Sequence, residues 1–389
     1  MPGYELIGKE EQKEVNEIFE NGGILFRHGF DKMRNNCFKV QTFEKQFSEY
    51  YYGKDTLAVT SGTAALRVAI AALEIGRGDE IITQSFTFVA TVEAIIESGA
   101  TPICTEIDET LNMDVEDLKR KITRNTKAVI VVHMLGVPSH LEEISKICTE
   151  KGIYLIEDTA WGCGGKLLDK RLGTWGDIGT FSFDFAKTMT TGEGGMLVFK
   201  SKDIYKKAVA WHDHGHENNP LLPRWEDSRS SSGFNFRMSE LQGAVGIAQL
   251  KKLPYVVDQQ RKNRDLIWNE IEVINGIQIR KTPDETFDTA DALVFFVSDN
   301  ENAIKCREAL LKINISTKIL PEAYTWHFAE KWDHMPELVS AHGGDLKSAF
   351  PQSRDLLSRA VSIPIFVKMD SDIPNKIKLS LLNVLANEE

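Results

Sequence analysis

Short apolar runs alternate with amphipathic stretches along residues 57–200 of the chain. The apolar runs have the length of buried strands and are LAVT, EIITQ, TPICTEI, KAVIVVHM, IYLIED and MLVF. The stretches between them place apolar residues three and four positions apart, as helices with one buried face do. Strands that alternate with helices form a mostly parallel sheet covered on both faces. The sequence therefore predicts an α/β domain, in which functional groups gather at the carboxyl ends of the strands.

A basic, irregular segment separates two predicted helices near the start of the chain. Residues 10–20 and residues 40–52 each place apolar side chains on one face, and Gly22-Gly23 ends the first helix. The segment between them, residues 23–37, has the sequence GILFRHGFDKMRNNC. Its cations stand in an otherwise acidic chain. They indicate either a solvated loop or a loop that faces a substrate.

The pattern changes around Pro254. Before it, residues 239–252 predict one amphipathic helix, and after it residues 257–273 predict another. A buried strand at 292–297 and a closing helix at 372–385 indicate a smaller α+β unit. We therefore predict two domains, a large one over residues 1–252 and a small C-terminal one over residues 253–389.

The bulk composition narrows the possible partners. The chain has 389 residues and a formal net charge of −11, which disfavours nucleic acid and anionic membranes. No apolar run approaches the roughly 20 residues of a membrane span, and the N-terminal stretch lacks the features of a signal peptide. The five cysteines contain no C-x-x-C pair. We therefore expect neither disulfides nor zinc, and a reducing, cytoplasmic environment.

One lysine stands out in the stretch TFSFDFAKTMTTGEGG, residues 180–195. Alternating apolar positions before Lys187 predict a strand, and the glycines after it predict a tight turn. A lysine buried at a strand end loses hydration, which lowers its pKa toward a neutral amine that forms Schiff bases with aldehydes. The alternative is a lysine whose ammonium group extends to solvent, and this stretch alone does not exclude it.

Three further strand ends carry candidate groups. The turn Ser61-Gly62-Thr63 connects a strand to a helix, where free N–H groups and the helix dipole attract a phosphate. Asp158 ends the strand IYLIED, and side-chain alternation directs it and Glu157 to opposite faces of the sheet. Helix or turn capping explains both features without a ligand. Phe88 follows another of the predicted strands.

Two motifs suggest a metal or a dinucleotide, and we adopt neither interpretation. His212, His214 and His216 alternate, yet they enter a polar loop that imposes no ligand geometry, so we predict no metal site. The GCGG turn at 162–165 lacks both the full G-x-G-x-x-G pattern and a clean following helix.

Five motifs in a fixed order resemble the DegT/DnrJ/StrS family of sugar aminotransferases, which use pyridoxal 5′-phosphate (PLP). They are SGTAAL (61–66), SFTFVATVEAI (85–95), IEDTAWGCGG (156–165), GDIGTFSFDFAKTMTTGEGG (176–195) and GFNFRMSELQGAVGIAQL (233–250). The resemblance runs from about residue 43 to the C-terminus. It implies the type I aminotransferase fold, with a mostly parallel sheet in a large PLP domain and a smaller C-terminal domain. It also implies a homodimer with shared active sites.

The resemblance implies a role for each matched residue. Lys187 would bind the cofactor aldehyde as a Schiff base and act as the catalytic base. Asp158 would pair with the pyridinium nitrogen, so that the ring can take up electrons, and Phe88 would stack on the ring. The implied phosphate contacts are Gly62, Thr63, Ser182 and, from the neighbouring subunit, Asn235.

Trp161 departs from the family pattern, which usually has Gln or His there. Its place near the cofactor implies that a hydrogen bond is lost and that the indole stacks instead. Another branch of the family, which performs a dehydration, has His in place of the lysine, so Lys187 favours transamination. The remaining candidates, all for substrate binding, are Arg27, His28, His214, Arg237 and His327.

The implied reaction moves an amino group from L-glutamate to a keto or aldehyde sugar. The basic N-terminal segment, the opening MPGYELIG and the HDHGHENN loop resemble those of family enzymes that convert 8-oxo-Kdo to 8-amino-3,8-dideoxy-manno-octulosonate for lipopolysaccharide. This resemblance implies 8-oxo-Kdo as the acceptor, with Arg27 or another cation of the segment pairing with its carboxylate. A nucleotide-linked 3-keto or 4-keto sugar is the alternative acceptor. Three other classes stay open: a nucleotide-dependent oxidoreductase, a non-catalytic PLP-binding regulator and a structural protein.

Overall fold

Thirteen strands are present in the computed structural model, which describes residues 2–219 and 221–385. In chain order they are β1 Asp55–Val59, β2 Glu80–Gln84, β3 Thr101–Thr105, β4 Thr126–Val132, β5 Tyr154–Asp158, β6 Lys166–Leu167, β7 Lys170–Arg171, β8 Ile178–Ser182, β9 Gly195–Phe199, β10 Gln278–Ile279, β11 Thr286–Phe287, β12 Ala292–Phe296 and β13 Ala360–Pro364. Seven of them form the main sheet in the order β1-β9-β8-β5-β4-β2-β3, and two small sheets have the orders β10-β12-β13 and β11-β6-β7.

Helices connect many of these strands and also follow the last of them. They are α1 Lys9–Glu20, α2 Lys39–Tyr50, α3 Gly62–Ala72, α4 Ala90–Glu97, α5 Val115–Lys121, α6 Leu141–Lys151, α7 Lys202–Trp211, α8 Glu240–Ile271, α9 Asn300–Lys312, α10 Tyr324–His327, α11 Pro336–Ala341, α12 Leu346–Ala349, α13 Pro351–Ser358 and α14 Ile373–Leu385. Among the residues that the structure describes, no helix is long and apolar enough to cross a membrane.

The main sheet is mixed but mostly parallel. Strands β8, β5, β4, β2 and β3 run parallel to one another, whereas β9 is antiparallel to both β1 and β8. Side chains alternate between two cores: Leu57 and Val59 pack on one side of the sheet and Ala58 on the other. The predicted α/β class is therefore confirmed. Asp158 pairs in register with Thr180, so β5 and β8 end at the same edge.

One continuous helix replaces the two helices predicted around Pro254. Helix α8 has 32 residues and contains Pro254 in its interior. A proline there removes one backbone hydrogen bond and costs about 3 kcal/mol. Burial of apolar residues on both sides of it, among them Leu253 and Val256, offsets that cost. The predicted helix break is wrong. The proposed domain division at 252/253 falls inside this helix and stays a prediction.

The strand predicted over residues 180–186 is also too long. Strand β8 ends at Ser182, and the chain then turns: the Lys187 N–H donates to the Asp184 carbonyl at 3.1 Å. An Asp184 carboxylate oxygen accepts from the Ala186 N–H at 2.9 Å. Such a carboxylate-to-backbone bond competes with the strand ladder. Lys187 therefore lies in a loop beyond the strand end.

Aromatic residues hold the base of this loop. Phe43 and Phe47 of α2 are fully buried, as predicted, and both rings contact Phe183, which directly follows β8. Phe47 also meets Phe181 edge to face at 5.2 Å. Each buried Phe stabilises the fold by roughly 1.5–3 kcal/mol. Packing against the aromatic residues of α2 thus anchors the end of β8, from which the chain continues to Lys187.

Candidate active site

A cavity of about 340 Å³ opens at the carboxyl ends of β5 and β8. Strand ends, the start of α3 and the loop after β8 all contribute to its wall. Of the residues singled out from the sequence, those that line it are Ser61, Gly62, Thr63, Phe88, Asp158, Trp161, Ser182, Lys187 and His327. Residues far apart in sequence therefore form one site, at the edge of the sheet where function was expected.

Lys187 is a partly neutral amine at physiological pH. The residue is partly exposed, but its amine is surrounded by protein atoms, with Nζ 3.4 Å from the centre of the Trp161 ring. This burial lowers the pKa of Lys187 from 10.5 to about 8, although the carboxylates of Asp291 and Asp158 work in the opposite direction. At pH 7 about a tenth of such a group is neutral. It can therefore act both as a nucleophile and as a base.

Asp158 presents a buried carboxylate to the same cavity. It accepts hydrogen bonds from the Thr91 hydroxyl at 3.1 Å and from the Ala160 N–H at 3.2 Å. Burial nevertheless raises the pKa of Asp158 above its ordinary value. A cationic partner in the cavity would reverse that shift, since opposite charges favour ionisation of each other. The site is thus suited to a positively charged ring nitrogen.

The neighbouring Glu157 points away from the cavity, as predicted from strand alternation. Its carboxylate accepts N–H bonds from Gly173, Trp175 and Gly176 at 2.7, 2.6 and 2.8 Å. These bonds hold the loop before β8 on the opposite face of the sheet. Two adjacent acids therefore have separate tasks, one structural and one facing the cavity.

The start of α3 forms an anion-binding corner. Ser61 caps the helix by accepting from the Ala64 N–H at 3.0 Å, and the first-turn N–H groups of Gly62 and Thr63 have no partner within the helix. A Cβ on Gly62 would lie 2.7 Å from the Cβ of Ser182, so only glycine lets the helix approach β8 so closely. Helix N–H groups, the helix dipole and the Ser182 hydroxyl together suit a phosphate.

An aromatic wall closes the other side. Phe88 stacks on Trp326 with ring centres 6.2 Å apart and planes 8° apart, and it also contacts His327. Burial lowers the pKa of His327 to about 4, so this imidazole is neutral at physiological pH. Phe88 as a whole is 39% exposed and lines the cavity, where its ring can stack on a planar ring.

A second ammonium group near Trp161 was missed by the sequence reasoning. Lys318 Nζ lies 4.9 Å from the centre of the same indole ring and 2.6 Å from the buried carboxylate of Asp291. Both residues lie more than a hundred positions after Trp161 and belong to no recognisable motif. Trp161 therefore contacts two ammonium groups, those of Lys187 and Lys318.

Two of the other predicted substrate residues, His28 and Arg237, lie outside the lining of this cavity and contact the buried Asp213. His28 Nε2 lies 3.4 Å from its carboxylate, and Arg224 and Arg237 both pair with it. Burial opposes ionisation of Asp213, but the close contact with His28 and the hydrogen bonds from Arg224 hold its pKa well below the ordinary value. Burial also lowers the pKa of His28. Two guanidinium groups therefore face one carboxylate, which leaves a net positive cluster.

Arg27 differs from the exposed loop cation that was expected. Its side chain is buried, donates to Glu44 at 2.7 Å and donates to the Ala58 carbonyl at 3.1 Å. The carboxylate of helix α2 thus neutralises it. A contact between Arg27 and substrate stays a prediction. Unlike Arg27, which has Glu44 as its own partner, Arg224 and Arg237 share the single carboxylate of Asp213.

Asn235 and the three alternating histidines lie on the same loop system. Asn235 is exposed and its side-chain oxygen accepts from the Arg237 N–H at 3.3 Å. His212 is buried, His214 is exposed, and His216 faces Asp227 at 3.3 Å. Within residues 2–219 and 221–385, no group of three His, Cys, Asp or Glu residues could hold a metal ion.

The lining of the cavity fits PLP. The start of α3 with Ser182 suits the phosphate, and Lys187 suits the aldehyde carbon. The carboxylate of Asp158 suits the ring nitrogen, and Phe88 suits one face of the ring. All of these residues line the same space of about 340 Å³.

Known proteins resemble the chain over nearly its full length. The profile of the DegT/DnrJ/EryC1/StrS aminotransferase family matches residues 6–380. GDP-perosamine synthase from Vibrio cholerae is 33% identical over 368 residues, which cover 94% of the chain and 93% of that enzyme. Among solved structures, an aminotransferase from Psychrobacter cryohalolentis superposes with a TM-score of 0.85 at 24% identity, covering 98% of both chains. Spr1654 from Streptococcus pneumoniae in its PLP form gives 0.83 at 21% identity and 97% coverage of both chains.

Proposed function

Because the chain belongs to the DegT/DnrJ/EryC1/StrS aminotransferase family and is a PLP-dependent sugar aminotransferase, we propose that it moves an amino group from L-glutamate to an anionic oxo sugar. The observation that carries this proposal is the meeting of Lys187, Asp158 and the start of α3 in one cavity.

Lys187 does the proton transfer in this proposal. Its ε-amine would hold the aldehyde carbon of PLP and, when displaced by the amino donor, is placed to take the proton from the donor's α-carbon. The cofactor, when bound, supplies the electron sink that makes this proton acidic. Because burial brings the pKa of Lys187 to about 8, the amine can both accept and return a proton near neutral pH.

The other cavity residues would position the cofactor and stabilise its charged groups. Asp158 would keep the ring nitrogen protonated, and Thr91 fixes the orientation of its carboxylate. Gly62, Thr63 and Ser182 would hold the phosphate, while Phe88 excludes water from one face of the ring. Holding a reactant in the right geometry removes several kcal/mol from a barrier.

The acceptor that we propose is 8-oxo-Kdo, an aldehyde sugar that carries a carboxylate. Support comes from the positive cluster of Arg224 and Arg237 around Asp213, which lies beside Asn235 and the basic N-terminal segment. In a dimer that brings Asn235 to the partner's cofactor, this cluster would approach the partner's substrate. Guanidinium groups bind carboxylates well because their paired N–H groups match both oxygens.

A nucleotide-linked keto sugar is the second candidate. The similarity to GDP-perosamine synthase favours it, and the same guanidinium groups would suit a diphosphate. Both acceptors are anions, so charge alone does not separate them.

An amination panel separates the two acceptors. Purified protein with PLP and L-glutamate is incubated with 8-oxo-Kdo and, in parallel, with nucleotide-linked 3-keto and 4-keto sugars, and the amino sugar is measured by mass spectrometry. Amination of 8-oxo-Kdo with at least a hundredfold higher kcat/KM supports the first proposal. A preference for a nucleotide-linked sugar by the same margin contradicts it and supports the second.

We further infer that the active protein is a homodimer with shared sites. Leu221, Trp225 and Phe234 are exposed by 88, 85 and 54% on the loop system that carries Asn235. Exposed apolar groups of this size mark surfaces for protein association. Asn235 does not line the cavity of its own chain, so a phosphate contact from it requires a second copy.

Mixed dimers test this arrangement. Asn235→Ala is expected to weaken PLP binding about tenfold, since one hydrogen bond to a charged group is lost, and Lys187→Ala removes the covalent link. Neither variant alone has a complete site, but a 1:1 mixture that exchanges subunits regains about a quarter of the complete sites by random pairing. The readout is the absorbance of bound PLP at limiting cofactor. If exchange is shown by mass spectrometry and the absorbance of the mixture does not exceed the mean of the two unmixed variants, Asn235 does not act across subunits.

A further inference from the structure

The first residues that the structure describes pack directly on the loop of the cofactor lysine. Pro2 and Gly3 are buried, and the Gly3 N–H donates to the backbone carbonyl of Lys187 at 3.1 Å. This contact joins positions 184 residues apart in the sequence. The contact involves the backbone of Lys187, the residue proposed to react with the cofactor.

The contact leaves no room for a side chain at position 3. A Cβ on Gly3 would lie 2.8 Å from the Lys187 carbonyl oxygen and 3.0 Å from both Cα and the carbonyl carbon of Met189. All three are backbone atoms and cannot rotate away. Gly3 itself has φ −61° and ψ −45°, which any residue adopts without strain. Glycine is therefore needed for closeness to the Lys187 loop and not for backbone conformation.

The segment around Gly3 is fixed at several further points. The Tyr4 ring contacts Phe185 of the Lys187 loop at 5.5 Å, and Lys252 of α8 donates to the Leu6 carbonyl at 2.7 Å. The Glu5 carboxylate accepts from the N–H groups of residues 367 and 368 at 3.2 and 2.8 Å. Residues 2–6 therefore connect the Lys187 loop to α8 and to the loop that follows β13.

We propose that Gly3 is a positioning residue for Lys187. Its contact fixes how far the Lys187 backbone lies from the cavity, and therefore where the ε-amine is placed within it. The proposal rests on the proposed function in one respect, namely that Lys187 binds PLP. The Lys187 loop lies beyond the end of β8, where no sheet ladder holds it. A hydrogen bond from outside the sheet, such as the one from Gly3, therefore has its largest effect on this loop. Misplacement of a reacting group by 1 Å costs about a hundredfold in rate.

The test compares Gly3→Ala with Gly8→Ala. The new methyl at position 3 must push the Lys187 loop by several tenths of an ångström, whereas a Cβ at Gly8 meets nothing closer than 3.7 Å. Gly8 is the N-cap of α1, with φ −167° and ψ −142°, so the strain of an alanine there falls on the start of α1. Its N–H bond to Glu11 does not involve the side chain at position 8. Both variants add one methyl group to the same segment.

For Gly3→Ala we expect kcat with L-glutamate to fall about tenfold, with the KM for L-glutamate within about twofold of wild type. The pH midpoint of the visible band of bound PLP, which reports the covalently held lysine, is expected to move by about half a unit or more. Gly8→Ala keeps the wild-type values. Glu5→Ala, which loosens the segment without a clash, is expected to give smaller changes in kcat and midpoint and serves if Gly3→Ala does not fold.

A merely structural role gives a different result. If Gly3→Ala, or Glu5→Ala in its place, lowers the unfolding temperature but leaves the pH midpoint and kcat at wild-type values, the proposal is wrong. Failure of the proposed function shows in the wild-type protein itself, which then has either no PLP band or a band that L-glutamate does not shift. Without a band, the positioning role falls with it.

Discussion

Lys187→Ala is expected to lower the transamination rate by about 10⁴-fold or more. The change removes both the covalent contact with PLP and the general base, and a base alone accounts for 10²–10⁴-fold. The visible band of bound PLP should disappear with the activity. Stopped-flow absorbance with PLP and L-glutamate measures both.

Two further variants separate the effect of the positive charge of Lys187 from that of its reactive amine. Lys187→Arg keeps a positive charge in the cavity but has no neutral amine at physiological pH, so it should be as inactive as Lys187→Ala. Lys318→Ala removes the other ammonium group near Trp161 and should retain the PLP band. A Lys187→Ala protein that still forms the band and turns over L-glutamate would contradict the assignment of Lys187.

Asp158→Asn is expected to cost about 10²–10³-fold in kcat while leaving the fold intact. The amide can accept from the Ala160 N–H and donate to Thr91, so both hydrogen-bond partners stay satisfied. The negative charge is lost, and with it the electrostatic support for a protonated ring nitrogen. Steady-state kinetics at saturating PLP measures the loss.

Asp158→Asn should not lower the stability of the cofactor-free protein, in contrast to its effect on kcat. Burial raises the pKa of Asp158 in the folded state, so ionising it costs stability as the pH rises above its ordinary pKa of 3.8. The neutral amide has no such cost. Cofactor-free Asp158→Asn is therefore expected to be at least as stable as wild type near pH 7, with the difference vanishing below about pH 3.8.

Glu157→Gln is the control from the same strand. It weakens the carboxylate that holds three N–H groups, so it should lose about 1–3 kcal/mol of stability and keep the spectrum of bound PLP. If instead Glu157→Gln loses catalysis and Asp158→Asn does not, the two carboxylates have been assigned to the wrong faces.

The sequence predicts the parts of the site that lie on regular elements. Strand alternation places Asp158 and Glu157 on opposite faces, and the βα rhythm places Ser182 and the start of α3 at one sheet edge. The implied type I aminotransferase fold is confirmed by the likeness to solved aminotransferases. Here local pattern and global fold agree, because each element buries the face that its sequence makes apolar.

Other features depend on contacts that sequence spacing does not encode. Pro254 seemed to end a helix, yet packing on both sides keeps α8 continuous. The sequence leaves Arg27 as either a solvated loop cation or a substrate contact, whereas in the structure Glu44 of α2 neutralises it. Lys318, Asp291 and Gly3 reach the Lys187 region from distant parts of the chain. Only the folded topology brings them there, and no local motif marks them.

The most direct test of the account is the reaction of the wild-type protein with PLP and then L-glutamate. We expect a visible band from PLP held by Lys187, which L-glutamate shifts while about one 2-oxoglutarate per chain is released. A band that does not respond to L-glutamate or to other amino donors would indicate a regulator that only binds the cofactor. No band, with enhanced NADH fluorescence in its place, would contradict the account and indicate an oxidoreductase.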